Sequence, residues 1–402
     1  MPTASPGKVA ARIFDGAPAH DMLAAMSNLS TIPKVSRAFV VDGAGHGRIE
    51  SIPIPPVGAD EVLVRMEGVY ACAGGDTIVY GGKHPHSQGK YPLILGHEGV
   101  GVVAAIGPSA AERRGLRVGD RVAVEVMIPC DVGRNDACEA CRRGDYQLCE
   151  GNRQHGVSMP LSLGHGLWGM YSDFLMVHPC AITHRISDGV SLENAVATAF
   201  LANAVRWTEL KGKVQKGEYV AIFGPGPQGI GSAAVATYRG ATPILIGLRA
   251  DEARFDLAAR IGVMPAANRV YADTEDVVAR VMHLTGGRGC DLAIECSGAD
   301  AAAGPWLRVL RKFGRGVLCG YHGGRDVSVP IDQVSTRELT VFGAWGQAGG
   351  FPLALEMLAR RTFDFAPMIT NRYRIDELND VIPKLKDPSR ILMKAFVEPL
   401  PL

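Results

Sequence analysis

Between residues 219 and 236 an apolar run, a glycine-rich turn and an Ala-rich stretch follow one another without a break, YVAIFGPGPQGIGSAAVA. Gly224, Gly226 and Gly229 stand there in G-x-G-x-x-G spacing. The first glycine permits a tight turn, the second lets a pyrophosphate approach the backbone, and the third allows a helix to pack closely on the preceding strand. Pro227 has its φ preset near the helical value and suits the start of a helix whose amino end attracts phosphate. A plain glycine turn is the bland alternative, but the strand before it and the helix after it favour dinucleotide binding. From about Gly217 strand-like and helix-like segments alternate: EYVAIFG, a helix from Gln228, PILIGL, a helix from Asp251, CDLAIECSG, a helix from Asp300, then RGVLCG. That alternation predicts a parallel sheet of βαβ units.

In such a unit the second strand ends, about 20 residues on, in an acid that accepts from the adenosine ribose of NAD. Here the strand reads PILIGLRADEARF, and the expected acid is missing, with Gly247 and Arg249 near its place. A small residue followed by a cation accommodates a 2′-phosphate, so NADP is favoured over NAD, the alternative being a merely solvated Arg249.

The rest of the chain is different in texture. From Ser36 short β-rich runs, RAFVV, EVLVRMEGVY, VGVVAAIG and DRVAVEVMI, alternate with Gly and Pro turns and predict a small barrel-like β domain. Residues 1–34 lack sustained periodicity apart from a short amphipathic helix near 9–30, and read as an appendage. After Trp345 a helix (FPLALEMLARR) and a last strand (RILMKAFV) are expected to return to the first domain.

Nine cysteines in 402 residues are too few for a disulfide scaffold, yet Cys130, Cys138, Cys141 and Cys149 cluster as C-x7-C-x2-C-x7-C. Four thiolates complete a tetrahedral zinc shell and leave no open position, which makes this set structural rather than catalytic. A second set is dispersed: Cys72 in GVYACAGGD, and His97 with Glu98 in YPLILGHEGVGVV. Cys and His are catalytic zinc ligands, and Asp76 is placed to orient an imidazole. Taken singly, each is equally well read as a buried thiol or a satisfied core histidine.

Forty-two Lys and Arg against 41 Asp and Glu leave a net charge of +1, with no broad positive field for a nucleic acid backbone. No apolar run reaches the 18 residues a membrane span needs, and MLAAM at 22–26 is too short for a signal sequence. A soluble cytoplasmic protein of two or three domains is expected.

GHEGVG at 96–101, GLRVGDRVAVE at 115–125, the cysteine cluster, LWGMYSDFLMV at 167–177, FGPGPQGIG at 223–231, GRGCDLAIECSG at 287–298 and ELTVFGAW at 338–345 belong together. In combination they resemble the zinc-dependent medium-chain dehydrogenase/reductase superfamily, the alcohol, sorbitol and threonine dehydrogenases, over residues 36–402. The resemblance implies an α/β protein with four parts. They are an N-terminal extension (1–34), a GroES-like β-barrel catalytic domain (35–202), a Rossmann doubly wound parallel-sheet domain (203–344) and a C-terminal return (345–402). It implies hydride transfer between NAD(P) and a small to medium secondary alcohol or ketone, with a zinc Lewis acid at the oxygen, and a homodimer or homotetramer. Carried over by residue, Cys72, His97 and Glu98 bind catalytic zinc with Asp76 behind them, Cys130, Cys138, Cys141 and Cys149 bind structural zinc, and Gly224, Gly226, Pro227, Gly229 and Arg249 hold the cofactor. Lys394 stands for the family's C-terminal basic residue and is expected to pair with Asp76, or else to be an ordinary surface lysine. Trp168, Trp207, Trp345 and His155 are pocket candidates that serve equally as core or rim.

Several positions depart from that pattern. Cys72 is separated from Asp76 by AGG, one residue longer than usual and without the hydroxyl that relays the alcohol proton, leaving Thr77 as a substitute. The cysteine cluster carries a five-residue insertion between its first two members. Ala199, in ENAVATAFLANAVRW, occupies the place of the third catalytic ligand. Either Glu98 joins Cys72 and His97 on the metal, the preferred reading, or the catalytic metal is weak or absent. The rivals are an NADPH-dependent reductase of activated C=C bonds and an inactive cofactor-binding protein.

Overall fold

The computed structural model describes residues 32–130, 137–387, 389 and 392–401. The helix expected near 9–30 and most of the insertion between Cys130 and Cys138 lie outside the described residues.

The β-rich first part forms two main sheets and a two-stranded pair of Met127–Ile128 with Arg153–Gln154. Val35–Val41 pairs antiparallel with Gly47–Pro53 and with Leu93–Ile94. The larger sheet runs in the order Thr183–Arg185, Arg121–Val124, Gly99–Ile106, Val62–Tyr70, Lys394–Glu398 and Ile369–Arg374, with Phe174–Val177 also on Val62–Tyr70. Val62–Tyr70 (VLVRMEGVY) is buried at every position but Arg65 and Glu67 and sits at the sheet centre, where Val64, Met66 and Val69 bury against Phe39, Val103, Leu175 and Val397. The last strand joins it antiparallel, Phe396 opposite Tyr70 and Val397 opposite Val69, so the chain end is part of the first lobe.

The second part is a six-stranded, wholly parallel sheet in the order Arg269–Tyr271, Thr242–Gly247, Tyr219–Phe223, Cys290–Glu295, Leu310–Leu318, Thr340–Gly343. Helices cover both faces, which is why Ala221, Ile222, Ile244, Leu292 and Ala293 can all be fully buried in near-continuous apolar strands. Strand order reverses between Tyr219–Phe223 and Cys290–Glu295, and ligands bind at such a switch point, beyond the carboxyl ends of the strands.

Helix Thr198–Val205 joins the two parts. It continues into a π-helical segment, Arg206–Lys211, so residue 202 falls inside a continuous helical stretch. Its small residues explain its position: a Cβ on Gly350 would come within 2.0 Å of the Ala202 carbonyl oxygen, and one on Gly231 within 3.1 Å of Phe200 and Ala204. Phe200 meets Tyr70 at 6.3 Å between ring centroids, and Tyr70 meets Phe396 at the same distance, which makes one core of both lobes.

Candidate active site

Strand Val62–Tyr70 delivers the chain to Cys72, and the antiparallel neighbour Gly99–Ile106 begins just after His97 and Glu98. The two segments are tied by Tyr70 N–H donating to the Glu98 carbonyl at 2.9 Å. Ligand atoms of Cys72, His97 and Glu98 consequently lie within 4.8 Å of one another. The longer AGG spacer is absorbed as a helical turn, with Asp76 opening the short helix Asp76–Tyr80 and its N–H reaching the Cys72 carbonyl at 2.9 Å. Asp76, fully buried, accepts through Oδ2 from Cys72 N–H at 2.9 Å and from the Tyr171 hydroxyl at 2.5 Å. Its Oδ1 stands 3.2 Å from His97 Nδ1, an ion-pair distance at an angle too poor for a hydrogen bond.

The free space beside the ligand atoms depends on Gly75. A Cβ there would lie 3.1 Å from His97 Nε2 and 3.5 Å from Cys72 Sγ, and Gly75 N–H donates to that sulfur at 3.3 Å. Burial by itself would lower the His97 pKa, but Asp76 and Cys72 outweigh it and hold the imidazole well above its ordinary value. A soft thiolate, an imidazole and a carboxylate around room kept clear by a glycine fit zinc.

Two expectations change here. Lys394 pairs with Glu98, Nζ to Oε2 at 2.5 Å, and not with Asp76. The antiparallel register that sets Phe396 opposite Tyr70 carries Lys394 over the Tyr70 ring, 5.2 Å from its centroid, on the Glu98 side. Burial pulls the Lys394 ammonium down, but Glu98 and Cys72 raise it above the usual lysine value. Thr77, the substitute for the missing relay hydroxyl, donates its proton to the Ala73 carbonyl at 2.7 Å, one helical turn back. Ala199 is buried and offers no donor atom.

The four clustered cysteines also converge, with sulfur atoms within 4.8 Å of one another and none in a disulfide. Four sulfurs about 2.3 Å from one tetrahedral zinc stand at comparable separations. Cys138 N–H donates to Cys130 Sγ at 3.3 Å. The lobe is pinned to the rest of the protein by Arg206, whose Nη2 meets Asp145 at 2.7 Å.

At the parallel sheet the three glycines divide the work as their spacing implied. Gly224 has φ +100°, a Cβ on Gly226 would meet nothing within 4 Å, and one on Gly229 would stand 1.9 Å from the Gly224 carbonyl oxygen. Pro227 opens helix Pro227–Tyr238. A cavity of about 390 Å³ lies over this turn. Arg249 is not among its lining residues, because the guanidinium stacks on Tyr271, 4.1 Å from the ring centroid, and lies 3.5 Å from Glu252. Asp251 and Arg254 line it instead, joined at 2.9 Å, with Asp251 also accepting from Leu248 N–H. Asp251 is the acid that this cavity presents, a few residues past the end of the second strand and at the end of the single turn Arg249–Asp251.

Among the aromatic candidates, Trp345 lines a second cavity of about 740 Å³ with Leu148, Arg206 and Tyr321. Trp168 is buried and its indole N–H donates to the Leu163 carbonyl at 2.6 Å. Trp207 is also buried, and His155 is fully so, with burial driving its pKa down to about 3. Neither cavity is lined by these three. Sequence reasoning missed Gly75, Tyr171, Asp251 and Arg254. Only Asp251 left a signal, as an acid just past the strand.

Comparison with known proteins agrees with this architecture. Residues 58–188 match the alcohol dehydrogenase GroES-like domain and residues 229–360 the zinc-binding dehydrogenase domain. A probable alcohol dehydrogenase of Mycobacterium tuberculosis is 33% identical over 362 residues, 87% of this chain and 94% of that protein. Sorbitol dehydrogenase of Bacillus subtilis is 28% identical over 374 residues, 92% of this chain and 99% of the other. Among solved structures, a zinc-binding dehydrogenase from Sinorhizobium meliloti bound to NADP shares the fold with a TM-score of 0.77 at 24% identity, covering 91% of this chain and all of that one. With a GroES-like lobe, a reversed parallel sheet and two convergent metal-ligand sets, the chain belongs to the zinc-dependent medium-chain dehydrogenase/reductase superfamily.

Proposed function

We propose that this protein is a zinc-dependent, nicotinamide-linked alcohol or polyol dehydrogenase that interconverts a small to medium secondary alcohol and its ketone. The observation that carries the reading is the meeting of Cys72, His97 and Glu98 within 4.8 Å, with Asp76 behind His97, in the lobe joined by a shared core to a dinucleotide-type glycine turn. Relatives named sorbitol dehydrogenase and erythritol/L-threitol dehydrogenase, the latter 29% identical over 361 residues, direct attention to polyols.

Cys72 and His97 would hold the metal, which supplies a Lewis acid to the substrate oxygen, while the nicotinamide exchanges the hydride. Asp76 orients the His97 ring, Lys394 balances the Glu98 charge, and Gly75 keeps the donor atoms accessible. Glu98 would complete the shell that Ala199 leaves short by exchanging its contact with Lys394. Gly224, Gly226, Pro227 and Gly229 would receive the pyrophosphate, and NADP remains the favoured cofactor, with Arg254 in place of Arg249 as the cation on the cavity wall, beside Asp251. Cys130, Cys138, Cys141 and Cys149 would carry structural zinc. Residues 35–202 with 345–402 form the proposed catalytic domain, 203–344 the nucleotide domain and 1–34 an extension. The edge strand Thr340–Gly343, with Val341 exposed and Tyr321 and Trp345 also exposed, supports a homodimer or homotetramer. No helix among the described residues is long and apolar enough to cross a membrane, in keeping with a cytoplasmic location.

The test is a panel of polyols and secondary alcohols followed by absorbance of the reduced nicotinamide with each cofactor. Turnover with wild type, lost in Cys72→Ser while dinucleotide binding persists, is expected. Reduction of an enone at its C=C bond by Cys72→Ser as well as by wild type would replace this reading with the zinc-independent alkene reductase. Dinucleotide binding without turnover of either substrate class would leave an inactive cofactor-binding protein.

A further inference from the structure

We propose that Tyr171 is a positioning residue for the Cys72–His97 metal site, holding the two ligand-bearing segments at a fixed separation. The inference rests on the zinc reading above and extends it to a residue outside the ligand set.

Tyr171 is fully buried, and it bonds to both segments at once. Its hydroxyl donates to Asp76 Oδ2 at 2.5 Å, the oxygen that also accepts Cys72 N–H. Its backbone N–H donates to the Leu95 carbonyl at 2.9 Å, and Met170 N–H donates to the Gly96 carbonyl at 2.9 Å, two residues and one residue before His97. Phe39 N–H closes the other side by donating to the Tyr171 carbonyl at 2.8 Å, so the backbone beneath the phenol is fixed. The approach is close enough to dictate the sequence next to the ligand. Gly96 has φ +97°, and a Cβ there would stand 2.6 Å from Tyr171 N and 2.7 Å from its ring.

With Oδ2 occupied by Tyr171 and Cys72, the Asp76 carboxylate can turn only Oδ1 towards His97. That sets Oδ1 against Nδ1 at 3.2 Å and leaves Nε2, on the side of Gly75 and Cys72, for the metal. A buried carboxylate holding a metal-bound histidine is itself oriented by its hydrogen bonds, and removing such a partner lowers metal affinity by about 10- to 100-fold. Phenylalanine at 171 would keep the ring packing and the backbone bonds while deleting only the bond to Asp76.

The experiment uses the full chain with zinc in the four-cysteine site and cobalt(II) titrated into the other. Cobalt affinity and the cobalt–thiolate absorption band are measured for wild type, Tyr171→Phe, Asp76→Asn, the double variant and Cys72→Ser. Tyr171→Phe is expected to weaken cobalt binding 10- to 100-fold and shift the band, and to add little in the Asp76→Asn background. Wild-type affinity and an unchanged band in Tyr171→Phe would overturn the proposal, whether or not its melting temperature falls. If Cys72→Ser also binds cobalt like wild type, the zinc reading itself fails.

Discussion

Replacing Lys394 by methionine isolates the interaction at the centre of the active-site lobe. The side chains of Lys394 and Glu98 are 5% and 4% exposed and meet at 2.5 Å, so neither charge has bulk solvent to fall back on. An exposed ion pair contributes about 0–1 kcal/mol, but deleting one member of a buried pair strands the other charge and destabilises by about 3–5 kcal/mol. Met keeps most of the aliphatic stem and removes the ammonium, the group that stands 5.2 Å from the Tyr70 ring centroid and 6.0 Å from that of Phe200. At about 2–4 °C per kcal/mol for domains of some 200 residues, the melting temperature of Lys394→Met should fall by roughly 6–20 °C. Glu98→Gln should also be destabilising, because it strands Lys394. Thermal and urea melts of both variants and of Lys394→Met/Glu98→Gln complete a double-mutant cycle. The double variant is expected to be at least about 2 kcal/mol more stable than the sum of the single losses predicts. Simple addition of the two losses would refute the reasoning, since the buried charges would then not be coupled.

Three further outcomes follow from the geometry. Cys141→Ser should remove about one zinc per chain by elemental analysis and lower the melting temperature, because three ligands no longer close the structural shell; full zinc content would contradict the assignment. Gly226→Ala should leave the melting temperature of the cofactor-free protein near wild type yet weaken dinucleotide binding at least tenfold by fluorescence titration, whereas Gly229→Ala should lower both, its methyl meeting the Gly224 carbonyl; equal effects of the two would undo the division of roles. Burial holds His155 at about 3, and burial with Arg153 nearby holds His178 at about 4, both below the ordinary 6.5, so their stabilising contribution is complete above about pH 6.5 and is lost as pH falls towards 4 while the unfolded chain takes up protons they refuse. Urea melts should show that decline, and His155→Leu should flatten it; a decline of equal size in the variant would acquit His155.

The sequence by itself carried what depends on motif spacing. G-x-G-x-x-G between an apolar strand and an Ala-rich segment encodes turn, open face and close packing in consecutive residues, and those roles reappear at Gly224, Gly226 and Gly229 because they depend on backbone geometry a few residues long. The cysteine spacing brought four thiols together for the same reason, and the last strand was legible in the apolar run of RILMKAFV, whereas the strand it pairs with is set by packing. What crossed long sequence distances was not legible. Lys394 finds Glu98 rather than Asp76 through the register of a strand that begins 296 residues downstream. Tyr171 reaches Asp76 across 95 residues, and one turn of helix after the second strand puts Asp251 at the cavity while Arg249 stacks on Tyr271. In each case a one-residue change of register or one turn of helix redirects a side chain, and only the packed structure sets that register.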